Sequence, residues 1–225
     1  MLSGAKTAVA EVEPGGWLLV TAAGPDGPVQ AVVAADAPGV TVTPLESLDL
    51  SRRFAEVRFD GVAVAADAVL DGAGTAAQLD RQLAVACTLL TAESVGAMDA
   101  ELNMTVQYAK DRIAFGRPIG SFQAIKHVLA DTSLAVEMSK AITLAAARTV
   151  GTDGDDYGPS AASMAKAYVG DAAIDLAQNC FQVFGGIGYT WEHDQHLYLR
   201  RLTTDAGLYG DASWHREHLC RLAGI

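Results

Sequence analysis

The sequence has little cysteine, little positive charge and, over its second half, little proline. Its three cysteines are Cys87, Cys180 and Cys220. They lie far apart and show no metal-ligand spacing, which argues against a disulfide framework and a Cys-based zinc module. Reduced thiols in a cytoplasmic protein are the expectation. Only 16 Lys and Arg stand against 27 Asp and Glu, for a net charge of −11. That argues against a nucleic-acid binder or an anionic-membrane binder. No uninterrupted apolar run reaches the roughly 18 residues that span a bilayer. The opening stretch "MLSGAKTAVAEVEPGG" lacks a basic region followed by a sustained apolar one, so no signal peptide is expected. His193/His196 and His215/His218 have an i, i+3 spacing that would share a helix face. Neither pair has a nearby Cys or an H-E-x-x-H arrangement, and no metal site is expected.

What is present falls into two halves with different periods. Half of the 225 residues are apolar, enough for a sizeable core. Up to about Asp71 the chain is rich in Val, Gly, Pro and Asp. "GWLLVTA", "PVQAVVAA", "GVTVTPL" and "FAEVRFDGVAV" are short β-type runs between turn residues. Val57, Phe59, Val62 and Val64 flank an Asp60-Gly61 pair, which predicts a hairpin turn there. This half reads as an antiparallel sheet.

From about Gly72 the apolar spacing turns helical, and no proline occurs until Pro118. One long helix is predicted, ending near Phe115-Gly116. A second follows "GRPIG", with Ser121 as the candidate N-cap. "GTDGDDYGPS" reads as a loop, and Pro159 suits the first turn of a third helix. Shorter helices are predicted over roughly Asp194 to Leu208 and Ser213 to Leu222. Three long Ala-rich helices with short connections indicate an antiparallel bundle. At the end of the third helix stands "CFQVFGGIGYTWEHDQHLYLRR". Its paired glycines have two readings, a helix C-cap with a turn, or backbone N–H groups brought close to a bound anion.

"DRIAFGRPIGSFQAIKHVLAD", "SMAKAYVGDAAIDLAQNCFQVFGGIGYT" and "HLYLRR", in that order and spacing, resemble the C-terminal domain of the acyl-CoA dehydrogenases. The specific combination is R-x-x-F-G, a Gln eleven residues after the Arg, and Q-x-F-G-G-x-G-Y later. The first half looks like the later strands of that family's middle β-domain. The resemblance implies an α+β fold, mainly α: a partial antiparallel β-domain over 1–72, then a four-helix bundle over 73–225 that meets FAD and forms oligomers. It implies FAD bound across a subunit interface. Arg112 would offer its donor fork to the pyrophosphate, and Phe115 would pack on the adenosine end. Gln123 and Gln182 would donate and accept, and the Gln182-Val183-Phe184-Gly185-Gly186 corner would meet the neighbouring subunit's cofactor. The reaction implied is α,β-dehydrogenation of an acyl-CoA, with an electron-transferring flavoprotein as acceptor.

Two departures from the pattern shape the expectation. The family's N-terminal helical domain and its isoalloxazine-binding loop have no counterpart here. The usual catalytic Glu of a Tyr-Glu-Gly-Thr stretch is also missing from "LYGDAS". Aligning the tyrosines puts Gly210 at that position, and aligning the glycines puts Tyr209 there. Asp211 is the nearest carboxylate and the candidate base. The family's alternative position, early in the first long helix, falls at about Ala86 or Cys87, and Glu93 lies two turns further on. Some bacterial members, notably those acting on steroid side-chain CoA thioesters, assemble from two different subunits, and the ending here looks like that actinobacterial style. Three readings follow: a subunit working with a longer dehydrogenase chain as homo- or hetero-oligomer, a catalytically inert paralogue, or part of a full-length dehydrogenase.

Overall fold

The computed structural model describes residues 1–70, 75–150 and 158–225. The loop read from "GTDGDDYGPS", up to residue 157, and the division at residues 72 and 73 lie outside the described residues. The chain forms two compact units, Met1–Asp80 and Arg81–Ile225.

The first unit is antiparallel β. Strands β2 (Trp17–Gly24) and β3 (Gly27–Ala34) form a hairpin, and the short β6 (Val69–Leu70) pairs with β3. A second sheet has the order β1 (Leu2–Ala10), β5 (Phe54–Val62), β4 (Val40–Leu45). Both sheets contribute to one core, Val20, Ala31 and Val33 from the first and Val57, Phe59 and Val62 from the second.

The hairpin expected at Asp60-Gly61 does not form. β5 runs through both residues, and Gly61 takes φ 58° inside a register shift against β1, between the Leu2–Val62 and Gly4–Phe59 pairs. The extra residue is a β-bulge. It returns Val62 to the face already used by Val57 and Phe59, so the apolar residues Val57, Phe59 and Val62 on either side of Asp-Gly belong to one strand, and Val64 lies just beyond it.

The second unit is helical. Helix α1 spans Thr75–Asp111, α2 Gln123–Val150, α3 Gly158–Phe184, α4 Gln195–Gly207 and α5 Ala212–Ala223. Pro159 stands in the first turn of α3, as its missing N–H allows. Ser121 is not the N-cap of α2. It lies in a 3-10 turn over Ile119–Ser121, and its hydroxyl donates to the Pro118 carbonyl at 2.7 Å.

Side-chain pairs give the directions. Lys140 of α2 reaches Asp99 of α1, so these two run antiparallel through their long connection. Ala84 and Cys87 of α1 pack on Ala162 near the start of α3, while Tyr108 at the end of α1 meets Phe184 at the end of α3. These two helices are therefore parallel. Gln195 of α4 reaches back to Ala177 of α3, and Lys166 of α3 reaches Ala206 of α4, an antiparallel pair. More than half of α3 is buried, and six of its buried residues are alanines, which lets its neighbours approach closely. The core holds Met98, Leu102, Val136, Val169, Leu176, Phe184 and Leu202. An 18-residue window of α1 has a mean hydropathy of 1.3, long and apolar enough to cross a bilayer by composition, but 44% of it is buried in the fold. A core helix of a bundle shows the same pattern.

Candidate functional site

The sequence-derived site residues fall into two groups. The first sits where α1 and α3 both end. Helix α1 stops at Asp111, and the chain turns back through β7 (Ile113–Ala114) and β8 (Arg117–Pro118). The two residues between these strands, Phe115 and Gly116, have φ 52° and 78°. Positive φ at both central positions defines a type I′ turn. Glycine takes that conformation freely, but phenylalanine is strained by it. The Phe115 side chain is nonetheless 95% exposed, so no local packing rewards the strain. Phe122 meets it edge-on at 6.2 Å, and Arg117 stacks on the Phe122 ring at 4.0 Å. Arg112 and Gln123 are exposed, and Arg112 makes no ion pair among the described residues.

The paired glycines stand beside this turn in the fold. Gly185 has φ 63° and ends α3 as a left-handed cap, and a 3-10 turn over Gly185–Tyr189 follows. A Cβ at Gly185 or Gly186 would meet nothing within 4 Å, so the corner is open to an approaching group. Gln182 is exposed on it. Val183 and Phe184 turn their side chains into the core, so only their backbone faces outward. Tyr108, one turn before Arg112, ties the two pieces together. Its ring packs on Phe184 at 4.8 Å, and its hydroxyl donates to the Phe184 carbonyl at 3.4 Å. His193 closes on the other side of Phe184 at 4.4 Å.

Below the corner lies a polar pair that sequence reasoning missed. Glu101 and Gln195 are both fully buried. The Gln195 amide donates to the Glu101 carboxyl and to the Ala177 carbonyl. Burial pushes the Glu101 carboxyl up to about 7, against the opposing pull of its hydrogen bonds to Gln195 and Cys180.

The second group surrounds the loop Leu208–Asp211. Asp211 is exposed, and its carboxylate accepts the Trp214 N–H at 2.8 Å as the N-cap of α5. The candidate base is thus turned to a helix end. Gly210 has φ 99°, and a Cβ there would lie 2.8 Å from the Trp214 ring, so that position admits no side chain. Tyr209 has φ 58° and is 51% exposed.

Beneath the loop, Cys87, Ser163, Lys166 and His215 are buried. His215 Nε2 lies 3.1 Å from the Tyr209 carbonyl, and Nδ1 lies 3.1 Å from Ser163 Oγ. A carbonyl only accepts, so Nε2 carries the proton and the Ser163 hydroxyl donates to Nδ1. Burial, reinforced by the Lys166 charge, lowers His215 to about 4, which keeps the ring neutral. Lys166 donates to the Ala206 carbonyl at 2.8 Å and the Gly210 carbonyl at 2.9 Å. Burial draws its ammonium down. Cys87 Sγ is 3.8 Å from His215 Nε2, and burial pushes its thiol up to about 11. The position early in the first helix and the LYGDAS loop therefore meet in space. Glu93 is elsewhere, paired with Arg201 at 2.6 Å.

Cys87 and Tyr108 are separated by about 32 Å along α1 at 1.5 Å per residue, so the corner and the loop are distinct places. Sequence reasoning missed Lys166 and weighed His215 only as half of a metal pair that it set aside. The available signal was a lysine inside an alanine-rich face.

The model of the "Acyl-CoA dehydrogenase, C-terminal domain" family matches residues 72–222. Acyl-CoA dehydrogenase FadE34 of Mycobacterium tuberculosis is 38% identical over 205 residues, 90% of this chain and 26% of that protein. Acyl-CoA dehydrogenase IpdE2 of Mycolicibacterium smegmatis is 36% identical over 183 residues, 81% of this chain and 52% of that one. The ChsE4-ChsE5 complex from Mycobacterium tuberculosis matches with a TM-score of 0.86 at 30% identity, covering 99% of this chain and 60% of the matched one. The chain thus spans about a quarter to a half of these two curated relatives. With the family motifs in place at the corner and the α+β architecture shared, the chain belongs to the acyl-CoA dehydrogenases, a family of FAD-binding oxidoreductases.

Proposed function

We propose that this chain completes a shared FAD site for α,β-dehydrogenation of an acyl-CoA thioester, working with a longer acyl-CoA dehydrogenase subunit. The observation that carries the reading is the corner. A strained, exposed Phe115 follows closely on Arg112, which has no ion pair among the described residues, and Tyr108 ties this turn to an open Gly185-Gly186 backbone. An isolated bundle has no use for those features, whereas an anionic dinucleotide does.

The roles follow from chemistry. The C-terminal end of α3 carries the negative end of its dipole to the corner. A pyrophosphate placed there therefore depends on Arg112 for its positive charge. Phe115 gives a flat apolar face for the adenine end, and Gln123 and Gln182 give polar donors and acceptors. Gly185 and Gly186 allow close approach because no Cβ intervenes. When bound, FAD supplies the hydride acceptor. Proton removal from the acyl Cα is assigned to the partner subunit, because Asp211 is occupied as a helix cap. That the ChsE4-ChsE5 structure is a complex of two named chains supports a two-subunit assembly. Electron-transferring flavoprotein is the proposed acceptor and the cytoplasm the proposed location.

The test is the visible spectrum of this chain purified alone and co-purified with a longer acyl-CoA dehydrogenase subunit encoded beside it. A flavin band in the co-purified sample only supports the shared site. A colourless complex refutes it.

A further inference from the structure

Glu101 and Gln195 meet in the core of the helical unit, and both are fully buried. The Gln195 amide nitrogen donates to two acceptors, a Glu101 carboxyl oxygen and the Ala177 carbonyl, and these fix which way the amide points. One oxygen on each side chain, Glu101 Oε2 and Gln195 Oε1, is then buried with no N–H or O–H donor among the described residues. Two orphaned acceptors on hydrogen-bonded neighbours are costly, and a carboxylate cannot relieve the amide because it only accepts. A single proton on Glu101 Oε2 removes one orphan and supplies the donor that the other lacks.

The pair reaches the corner through Gly188. A Cβ there would lie 3.6 Å from Gln195 Cγ, 3.2 Å from Phe184 and 3.3 Å from Phe181, so Gly188 is wedged between the end of α3 and Gln195. Gly188 belongs to the turn Gly185–Tyr189 that holds the paired glycines. On the α1 side, Glu101 stands about two turns before Tyr108, whose hydroxyl donates to the Phe184 carbonyl. The polar pair thus braces the same turn from beneath.

We infer that Glu101 and Gln195 are positioning residues for the cofactor corner: a proton on Glu101 clamps α1 to Gln195 and braces the Gly185–Tyr189 turn, and its loss at alkaline pH loosens the turn and its hold on the FAD dinucleotide. This rests on the reading that the corner receives FAD. Burial pushes the Glu101 carboxyl up to about 7, so the proton is held below that pH and released above it. From α3, Cys180 faces the carboxyl, and burial pushes its thiol up to about 12, which keeps it neutral. From α2, Lys140 is engaged at the surface by Asp99 and Glu137. In α4, His196 turns to the Trp191 ring. Just before α4, His193 Nδ1 accepts the Gln195 N–H at 3.1 Å. Protonating His193 would remove that acceptor, so its effect falls at the acid end and has the opposite sign.

The experiment measures the FAD dissociation constant of the complex with the partner subunit, from flavin fluorescence on dilution, between about pH 5.5 and 8.5. Affinity should fall roughly tenfold from the acid to the alkaline limit. Glu101→Gln keeps one acceptor and adds a permanent donor for Gln195 Oε1, so its affinity should stay within about twofold of the acid limit at every pH. Gln195→Met removes the amide and should give the weaker, alkaline-limit affinity throughout. In the flavin-free complex, the Gly186 and Gly188 N–H groups should exchange faster in the wild type than in Glu101→Gln above about pH 7, and equally below it. A level wild-type affinity profile overturns the inference, even if stability follows pH. So does a slope that survives in Glu101→Gln. A complex that carries no flavin at any pH refutes the shared site first, and this inference with it.

Discussion

The two ends of α1 face opposite problems. At its C-terminal end the chain leaves groups exposed: Arg112 without an ion pair among the described residues, Phe115 strained in the open, Gly185 and Gly186 with open space where a Cβ would stand. Near its N-terminal end everything is filled. Cys87, Ser163, Lys166 and His215 close under the loop, Lys166 and His215 donate to backbone carbonyls, Ser163 donates to His215, and Tyr209 faces outward. The open corner suits the anionic ligand proposed for it, with Arg112 as its cation. A packed polar cluster is built to hold a shape. The difference teaches that titratable groups gathered in one place do not make a reactive centre. Both His215 and Cys87 are driven toward their neutral forms, the opposite of an activated pair.

Four measurements would break or sharpen this contrast. The largest effect belongs to the open end. Arg112→Ala should lower the flavin content of the co-purified complex roughly tenfold or more, read from the visible band per protein, with little change in melting temperature. A large loss of stability would mean that Arg112 belongs to the packed class.

At the filled end, Lys166→Met should cost about 2–4 kcal/mol in denaturant unfolding, because the Ala206 and Gly210 carbonyls lose their buried donor. A near-neutral result would show that water replaces the ammonium.

The Glu101–Gln195 pair separates the two ends and should give the molecule a pH dependence. The Glu101 carboxyl rises from 4.5 unfolded to about 7 folded. A raised carboxyl binds its proton more tightly when folded, so its stabilising effect is full below pH 4.5 and is lost as pH rises through 7. The loss amounts to at most about 3 kcal/mol between these limits. Glu101→Gln should flatten this part of the curve of unfolding free energy against pH.

The smallest effect is at the loop. Asp211→Ala should cost about 1 kcal/mol through the lost N-cap, and Asp211→Asn much less. If Asp211→Asn also abolished turnover in the complex, the cap would be a second role rather than the main one.

Sequence alone carried the helical elements well. The five α-helices and the first-turn Pro159 follow from apolar spacing and from local residue chemistry, although α1 stops at Asp111 rather than near Phe115-Gly116. Strands were partly legible. Asp60-Gly61 misled because a turn dipeptide also makes a bulge, and only the pairing of β1 with β5 decides between them. Ser121 misled for a similar reason: its hydroxyl was taken by a carbonyl three residues back.

The corner residues were named through the family resemblance that two short runs carry, Arg112, Phe115 and Gln123 in one and Gln182 to Gly186 in the other. Their adjacency was not readable, because 76 residues separate Tyr108 from the Phe184 carbonyl it meets. The Cys87–His215 contact spans 128 residues, and no local pattern marks it. Composition and periodicity determined that this chain would build a small sheet and an alanine-rich bundle, because burial at a fixed helical or strand period is a local property. Tertiary structure alone decided that Asp211 caps a helix, that Gly210 has no room for a side chain and that Tyr209 projects. Those outcomes depend on which distant atoms occupy the space around a backbone, and that space exists only once the helices have packed.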